Sequence, residues 1–149
     1  MKVRGFEKIA AFAAVDFPLP ARQTAKAAGY DFYLPQEVTI PAGAMAFVAT
    51  GVKAYMGEGE FLGMHIRSSM AAKKGLLLVN NIGIIDADYY NNADNEGHIM
   101  LALKNTTGQA VVLPKGERVA QGIFYNYLLA DGDEGGQALR AGGFGSTGK

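Results

Sequence analysis

The stretch GIIDADYYN (83–91) sets Asp86 directly after the apolar pair Ile84 and Ile85, three residues before Tyr89. An ionised carboxylate at the lip of an apolar run can orient and deprotonate a water beside a dry pocket; an Asp-rich turn is the plain structural alternative. If the segment is extended, Asp86 and Asp88 share one face, while Ile85, Ala87 and Tyr89 share the other. A second candidate is IRSSMAAKKG (66–75). Here a serine stands where a helix N-cap belongs, residues of good helix propensity follow, and Gly75 suits the left-handed closing position. Free backbone N–H groups beside Arg67, Ser68 and Ser69 would receive phosphate oxygens, and an ordinary capped surface helix is the alternative.

Two further segments carry polar groups in unusual settings. LPKGERVAQGIF (113–124) reads as a turn over Pro114 to Gly116 feeding a strand in which Gln121 shares a face with Val119 and Ile123. A buried amide on such a face needs a hydrogen-bond partner, from the protein or from a ligand. Arg118, at the entrance to this strand, is placed to pair with Asp86 or Asp88. RAGGFGSTGK (140–149) combines an arginine, one aromatic ring and two hydroxyls, with glycines that allow close backbone approach. Arg140 suits bidentate phosphate binding, Ser146 and Thr147 can donate to phosphate oxygens, and Phe144 offers a stacking face to a base. A disordered tail is the alternative.

These residues must be held by a scaffold of short strands. Apolar residues alternate over five to eight positions and then meet Gly, Pro, Asn or Asp, as in Met45, Phe47 and Ala49, in Ile99, Leu101 and Leu103, and in Val119, Ile123, Tyr125 and Tyr127. The five prolines fall between such runs, and Asn105 to Gly108 reads as a turn. The spacing predicts an all-β, antiparallel jelly-roll-like β-barrel with one short helix over about 69–74. The domain is expected over 1–130, followed by a Gly-rich arm over 131–149 that holds seven of the chain's 20 glycines and cannot bury itself.

Composition narrows the function classes. The chain has 149 residues, the size of one domain. Its 14 Lys and Arg balance 14 Asp and Glu, so no overall field recruits nucleic acid or an anionic membrane. With no cysteine, thiolate zinc sites, disulfides and a cysteine nucleophile are excluded. His65 and His98 lack a third ligand at zinc spacing. No long apolar run or leader-like N-terminus is evident, which fits a cytoplasmic protein.

Taken in series, these segments resemble the trimeric dUTPase family, with its β-clip fold. AGYDFY (28–33), IRSSMAAKKG (66–75), Asn80 through Tyr89, KGERVAQGIF (115–124) and RAGGFGSTG (140–148) match its five motifs in order and at similar spacing. The resemblance implies a dUTP pyrophosphatase that forms dUMP and pyrophosphate with Mg²⁺, limiting uracil in DNA and supplying dUMP for dTMP synthesis. It implies a homotrimer with active sites at subunit interfaces. By it, Asp86 activates the attacking water, Tyr89 lies against the deoxyribose, and Asn80 with the backbone of Gly83 to Ile85 reads the uracil edge. Arg67, Ser68, Ser69 and Gln121 contact the triphosphate, and Arg140, Phe144, Gly145, Ser146 and Thr147 close over it. Asp31 is tied through water to a magnesium ion held chiefly by the triphosphate. The family usually reaches Gly soon after the tyrosine, whereas here a longer hairpin runs from Tyr90 to Gly97, a candidate surface for a protein partner. Two alternatives stand beside this reading: a dCTP deaminase-type relative, which would want a glutamate base, and a non-catalytic module binding a nucleotide or protein on the same fold.

Overall fold

The computed structural model describes residues 1–136; Arg140, Phe144, Gly145, Ser146 and Thr147 lie outside the described residues. Strands dominate, as the alternation predicts: β1 (Gly5–Lys8), β2 (Tyr30–Tyr33), β3 (Val38–Ile40), β4 (Met45–Ala49), β5 (Val52–Tyr55), β6 (Glu60–Ile66), β7 (Leu76–Leu78), β8 (Gly83–Asp86), β9 (Met100–Asn105), β10 (Val111–Leu113) and β11 (Arg118–Asn126). One α-helix, α1 (Ser68–Lys74), stands among them, and short 3-10 turns occupy Ala10–Phe12 and Ala87–Tyr89. Among the described residues all strand pairings are antiparallel. They form four open sheets, ordered β2-β11-β6-β8, β4-β9-β7, β1-β5 and β10-β3. The jelly-roll-like all-β architecture with one short helix therefore holds, with the barrel wall divided among separate sheets. The N-terminal strand β1 pairs with β5 of its own chain, Gly5 opposite Tyr55.

The sheets enclose one core built around Phe32, Leu62, Met64, Leu76, Leu101 and Leu103, each at most 1% exposed. Each such aliphatic or aromatic side chain contributes about 1.5–3 kcal/mol by leaving water. The phase of β4 differs from expectation. Val48 and Ala46 face inward, opposite Leu101 and Leu103 of β9, while Met45 and Phe47 are 47% and 54% exposed. A wholly apolar strand carries no polar residue to mark its outer face, so its partner strand sets the phase.

Two turns match the sequence reading, Asn105 to Gly108 between β9 and β10 and Pro114 to Gly116 before β11. Gly75 closes α1 with φ of 66°, as its type predicts. The start of α1 differs: Arg67, not a serine, is the N-cap, in extended conformation and with no side-chain cap bond. Its carbonyl accepts from Met70 and Ala71 N–H. Two helical turns carry little macrodipole, so positive potential here comes from the arginines.

Candidate active site

A cavity of about 260 Å³ opens where β8 ends, lined by Asn80, Gly83, Ile85, Asp86 and Tyr89 together with the floor residues Met64 and Leu101. Its position follows from the topology. β8 pairs with β6 on one side, Met64 opposite Gly83 and Leu62 opposite Ile85, and is the last strand of its sheet. An edge strand leaves a row of backbone donors and acceptors on its outer side, the same groups that pair with another strand in a sheet interior. Here they border a pocket with an apolar floor, so a flat ligand with a donor and acceptor edge can complete the ladder. Asn80 stands at the opposite end, in a turn held by Asn81 N–H to Leu78 O (3.0 Å) and Ile82 N–H to Asn80 O (2.7 Å). Gly83 packs closely on β6, where a Cβ would lie 3.2 Å from Met64 Cβ and Met64 would have to give by a few tenths of an ångström.

Asp86 is half-buried at the junction of this cavity and a more open hollow lined by Glu58, Asp88 and Tyr127. The chain does not stay extended beyond it. Ala87–Tyr89 turns as a 3-10 helix, so the strand alternation that would put Asp86 and Asp88 on one face and Ile85, Ala87 and Tyr89 on the other ends at Asp86. The turn brings Tyr89, 6% exposed, back over the cavity that Asp86 borders.

The cationic residues gather on a different part of the fold. Asp31 of β2 is 8% exposed and receives Arg118 Nη1 at 3.1 Å on one oxygen, with Arg67 Nε at 3.7 Å from the other. Arg67 Nη1 also donates to the Arg118 carbonyl at 3.1 Å. One carboxylate thus orients two guanidinium groups, and the expected pairing of Arg118 with Asp86 or Asp88 gives way to Asp31. Strand register explains this, since β11 runs beside β2 with Gln121 opposite Asp31, whereas β8 lies beyond β6.

Gln121 is half-buried between Asp31 and His65 on the neighbouring strands. Val119 is fully buried although it should share that face, because a register shift between Arg118 and Ala120 turns it inward. Ser68 is exposed and Ser69 half-buried at the start of α1. Sequence reasoning assigned no role to Gly29, yet a Cβ there would meet Gln121 Oε1 at 2.2 Å. A glycine before the Tyr30–Tyr33 strand was visible, but only the fold reveals what it faces.

The predicted residues therefore fall into two sets. Asn80, Gly83, Ile85, Asp86 and Tyr89 line the cavity; Arg67, Ser68, Ser69, Gln121 and Asp31 are absent from its lining. Among the described residues no group of three or more His, Asp or Glu side chains stands close enough to hold a metal, and no helix is long and apolar enough to cross a membrane.

A concave pocket with an apolar floor and a few polar groups at its edge has the usual form of a small-molecule site. The dUTPase family profile matches residues 15–148. The deoxyuridine 5'-triphosphate nucleotidohydrolase of Lactococcus lactis subsp. lactis (strain IL1403) is 49% identical over 149 residues, covering 99% of each chain. A crystal structure of dUTPase from Streptococcus mutans superposes with a TM-score of 0.81 at 53% identity, covering 86% of this chain and 99% of that one. A mutant dUTPase from phage phi11 of S. aureus, described for its coordination of a structural Mg(II) ion, shares the fold at a TM-score of 0.72 and 18% identity, covering 89% and 96%. The chain belongs to the dUTPase family.

Proposed function

We propose that this family member hydrolyses dUTP to dUMP and pyrophosphate, with Asp86 holding and deprotonating the water that attacks the α-phosphorus. The observation that carries the reading is the pocket at the edge of β8, with Asp86 at its junction and Tyr89 folded over it. Uracil pairs along the backbone of Gly83 to Ile85 and with Asn80, in a space too narrow for a thymine methyl. Tyr89 lies against the deoxyribose. Among the described residues Asp86 is the carboxylate that lines this cavity, the kind of group that a hydrolytic water requires. The carboxylate takes the proton as the new P–O bond forms, and the bond to the bridging oxygen breaks to release pyrophosphate.

Arg67, Ser68, Ser69 and Gln121 bind the triphosphate. Because they are absent from the lining of the cavity that takes the base, a complete site calls for a neighbouring copy, as in a homotrimer. Supporting this, Met45, Phe47, Leu77 and Val79 are each 47–55% exposed on the β4-β9-β7 sheet and its margin, a patch suited to a subunit contact. Arg140, Phe144, Gly145, Ser146 and Thr147 close over the ligand from a third copy, as an arm following the 1–130 domain.

The donor chemistry fits a magnesium ion carried by the substrate. Hard cations prefer oxygen ligands and tolerate few protein donors when phosphates supply the rest. Asp31 would reach it through water, since a carboxylate has about four lone-pair sites and its two arginines leave room for a water. When bound, the ion neutralises triphosphate charge and holds the leaving group.

The test is product analysis with dUTP, dCTP, dTTP and UTP in magnesium, using the intact chain, Asp86→Asn and a chain ending at Leu139. Release of dUMP and pyrophosphate from dUTP alone, lost in Asp86→Asn and strongly reduced by the truncation, is expected. Deamination of dCTP, or inertness toward all four nucleotides, would overturn the reading. Sedimentation equilibrium of the intact chain should return three times the monomer mass.

A further inference from the structure

We infer that the segment from Tyr90 to Gly97 is a clamp on Tyr89, and that Asn95 is the positioning residue that keeps the tyrosine rigid enough to reject a ribose 2′-hydroxyl. This rests on the sugar-facing role given to Tyr89 above. The sequence suggests a hairpin here; the segment forms consecutive turns closed on its own chain.

The contacts converge on Tyr89 from both ends. Its hydroxyl donates to the His98 carbonyl at 2.7 Å and accepts from Asn95 Nδ2 at 2.8 Å. Its carbonyl accepts from Asn92 Nδ2 at 2.7 Å. Asn95 is itself braced: its Oδ1 accepts from Asn92 Nδ2 at 2.8 Å and from Gly97 N–H at 3.1 Å, and its N–H donates to Asn92 Oδ1 at 3.0 Å.

The clamp is anchored outside the loop as well. Lys53 Nζ, on β5, donates to Asn91 Oδ1 at 2.6 Å and to Glu96 Oε2 at 2.7 Å. Both of these residues have positive φ, 56° and 65°, a conformation that costs a non-glycine residue energy and persists only when surroundings over-determine it. Gly97 completes the turn at φ of 88°, where a Cβ would lie 2.8 Å from the Tyr89 carbonyl oxygen.

Rigidity matters because of what the ring must do. An apolar wall rejects an analogue that merely adds a hydroxyl by only about 100-fold, so any recoil of the wall erodes that margin. A tyrosine pinned by packing alone can tilt about its two side-chain torsions. One pinned at its hydroxyl by a donor and an acceptor cannot tilt without breaking a hydrogen bond.

The experiment measures kcat and KM for dUTP and for UTP on full-length wild-type, Asn95→Asp, Asn95→Ala, Tyr89→Phe, Tyr89→Ala and the Tyr89→Phe/Asn95→Asp double variant, with melting curves alongside. Asn95→Asp keeps the oxygen that braces the loop and turns the donor to Tyr89 into a second acceptor, so the hydroxyl, with one proton, can no longer bond to this side chain and to the His98 carbonyl at once. Its selectivity for dUTP over UTP should fall about fivefold to tenfold, the effect of one hydrogen bond, mainly through better use of UTP. In the Tyr89→Phe background the same substitution should produce no further fall. Equal losses on both substrates, or an undiminished effect in the Phe background, would mark a merely structural residue and overturn the inference. Wild-type selectivity in both Asn95 variants while Tyr89→Ala loses it would overturn the clamp and leave the tyrosine's role standing. Unchanged selectivity in Tyr89→Ala would remove that role and the clamp together.

Discussion

Replacing Gly29 by alanine should disable Gln121 without unfolding the protein. A Cβ at Gly29 would lie 2.2 Å from Gln121 Oε1, 3.0 Å from Cδ and 3.1 Å from Cβ, so the amide must swing out of its present place. Gly29 has no positive φ, and alanine can adopt its backbone conformation. The gain from a less flexible unfolded chain, about 0.4–1 kcal/mol, opposes an overpacking cost of about 1–3 kcal/mol, so the net loss of stability should be about 2.6 kcal/mol at most. The functional loss is larger. A hydrogen bond to a charged group contributes about 1.5–3 kcal/mol, which corresponds to about a 10- to 150-fold fall in kcat/KM for dUTP. Steady-state kinetics of Gly29→Ala, Gln121→Ala and the double variant test this, with melting temperatures as the control. The two single variants should be similarly impaired and the double variant no worse than either. Full activity in Gly29→Ala beside a crippled Gln121→Ala would refute the argument, because the amide would then reach its ligand by another route.

Two further outcomes follow from groups outside the catalytic set. His98 Nε2 accepts from Gly51 N–H at 2.9 Å, and burial holds its pKa below the ordinary 6.5 despite the opposing charge of Glu96. The unfolded chain therefore binds this proton more readily than the folded one, so stability is full above pH 6.5 and declines as pH falls below it, until the folded imidazole also protonates. Thermal melts between pH 8 and 5 should show the decline, and His98→Gln should flatten it. Lys53, 8% exposed, is held by Asn91 and Glu96, so Lys53→Met should lower the melting temperature and speed amide exchange across residues 90–97. Unchanged exchange there would show that the lysine does not anchor the loop.

Much of this protein is legible in its sequence because the signals are local. Alternation marks strands, glycine at 75 ends α1 through its own backbone freedom, and Asp86 after an apolar pair announces a carboxylate beside a dry surface. Those properties depend on a few consecutive residues, so no fold is needed to see them. Tertiary structure decided what depends on residues far apart in the chain. It turned Met45 and Phe47 outward because β9, more than fifty residues away, sets the phase of an all-apolar strand. It gave Arg118 to Asp31 rather than Asp86 because β11 pairs with β2. It made Asn95 a brace for Tyr89, and Gly29 a space for Gln121. A sequence states which groups are available; which of them meet is settled by strand order and register, which come from burying the whole core at once.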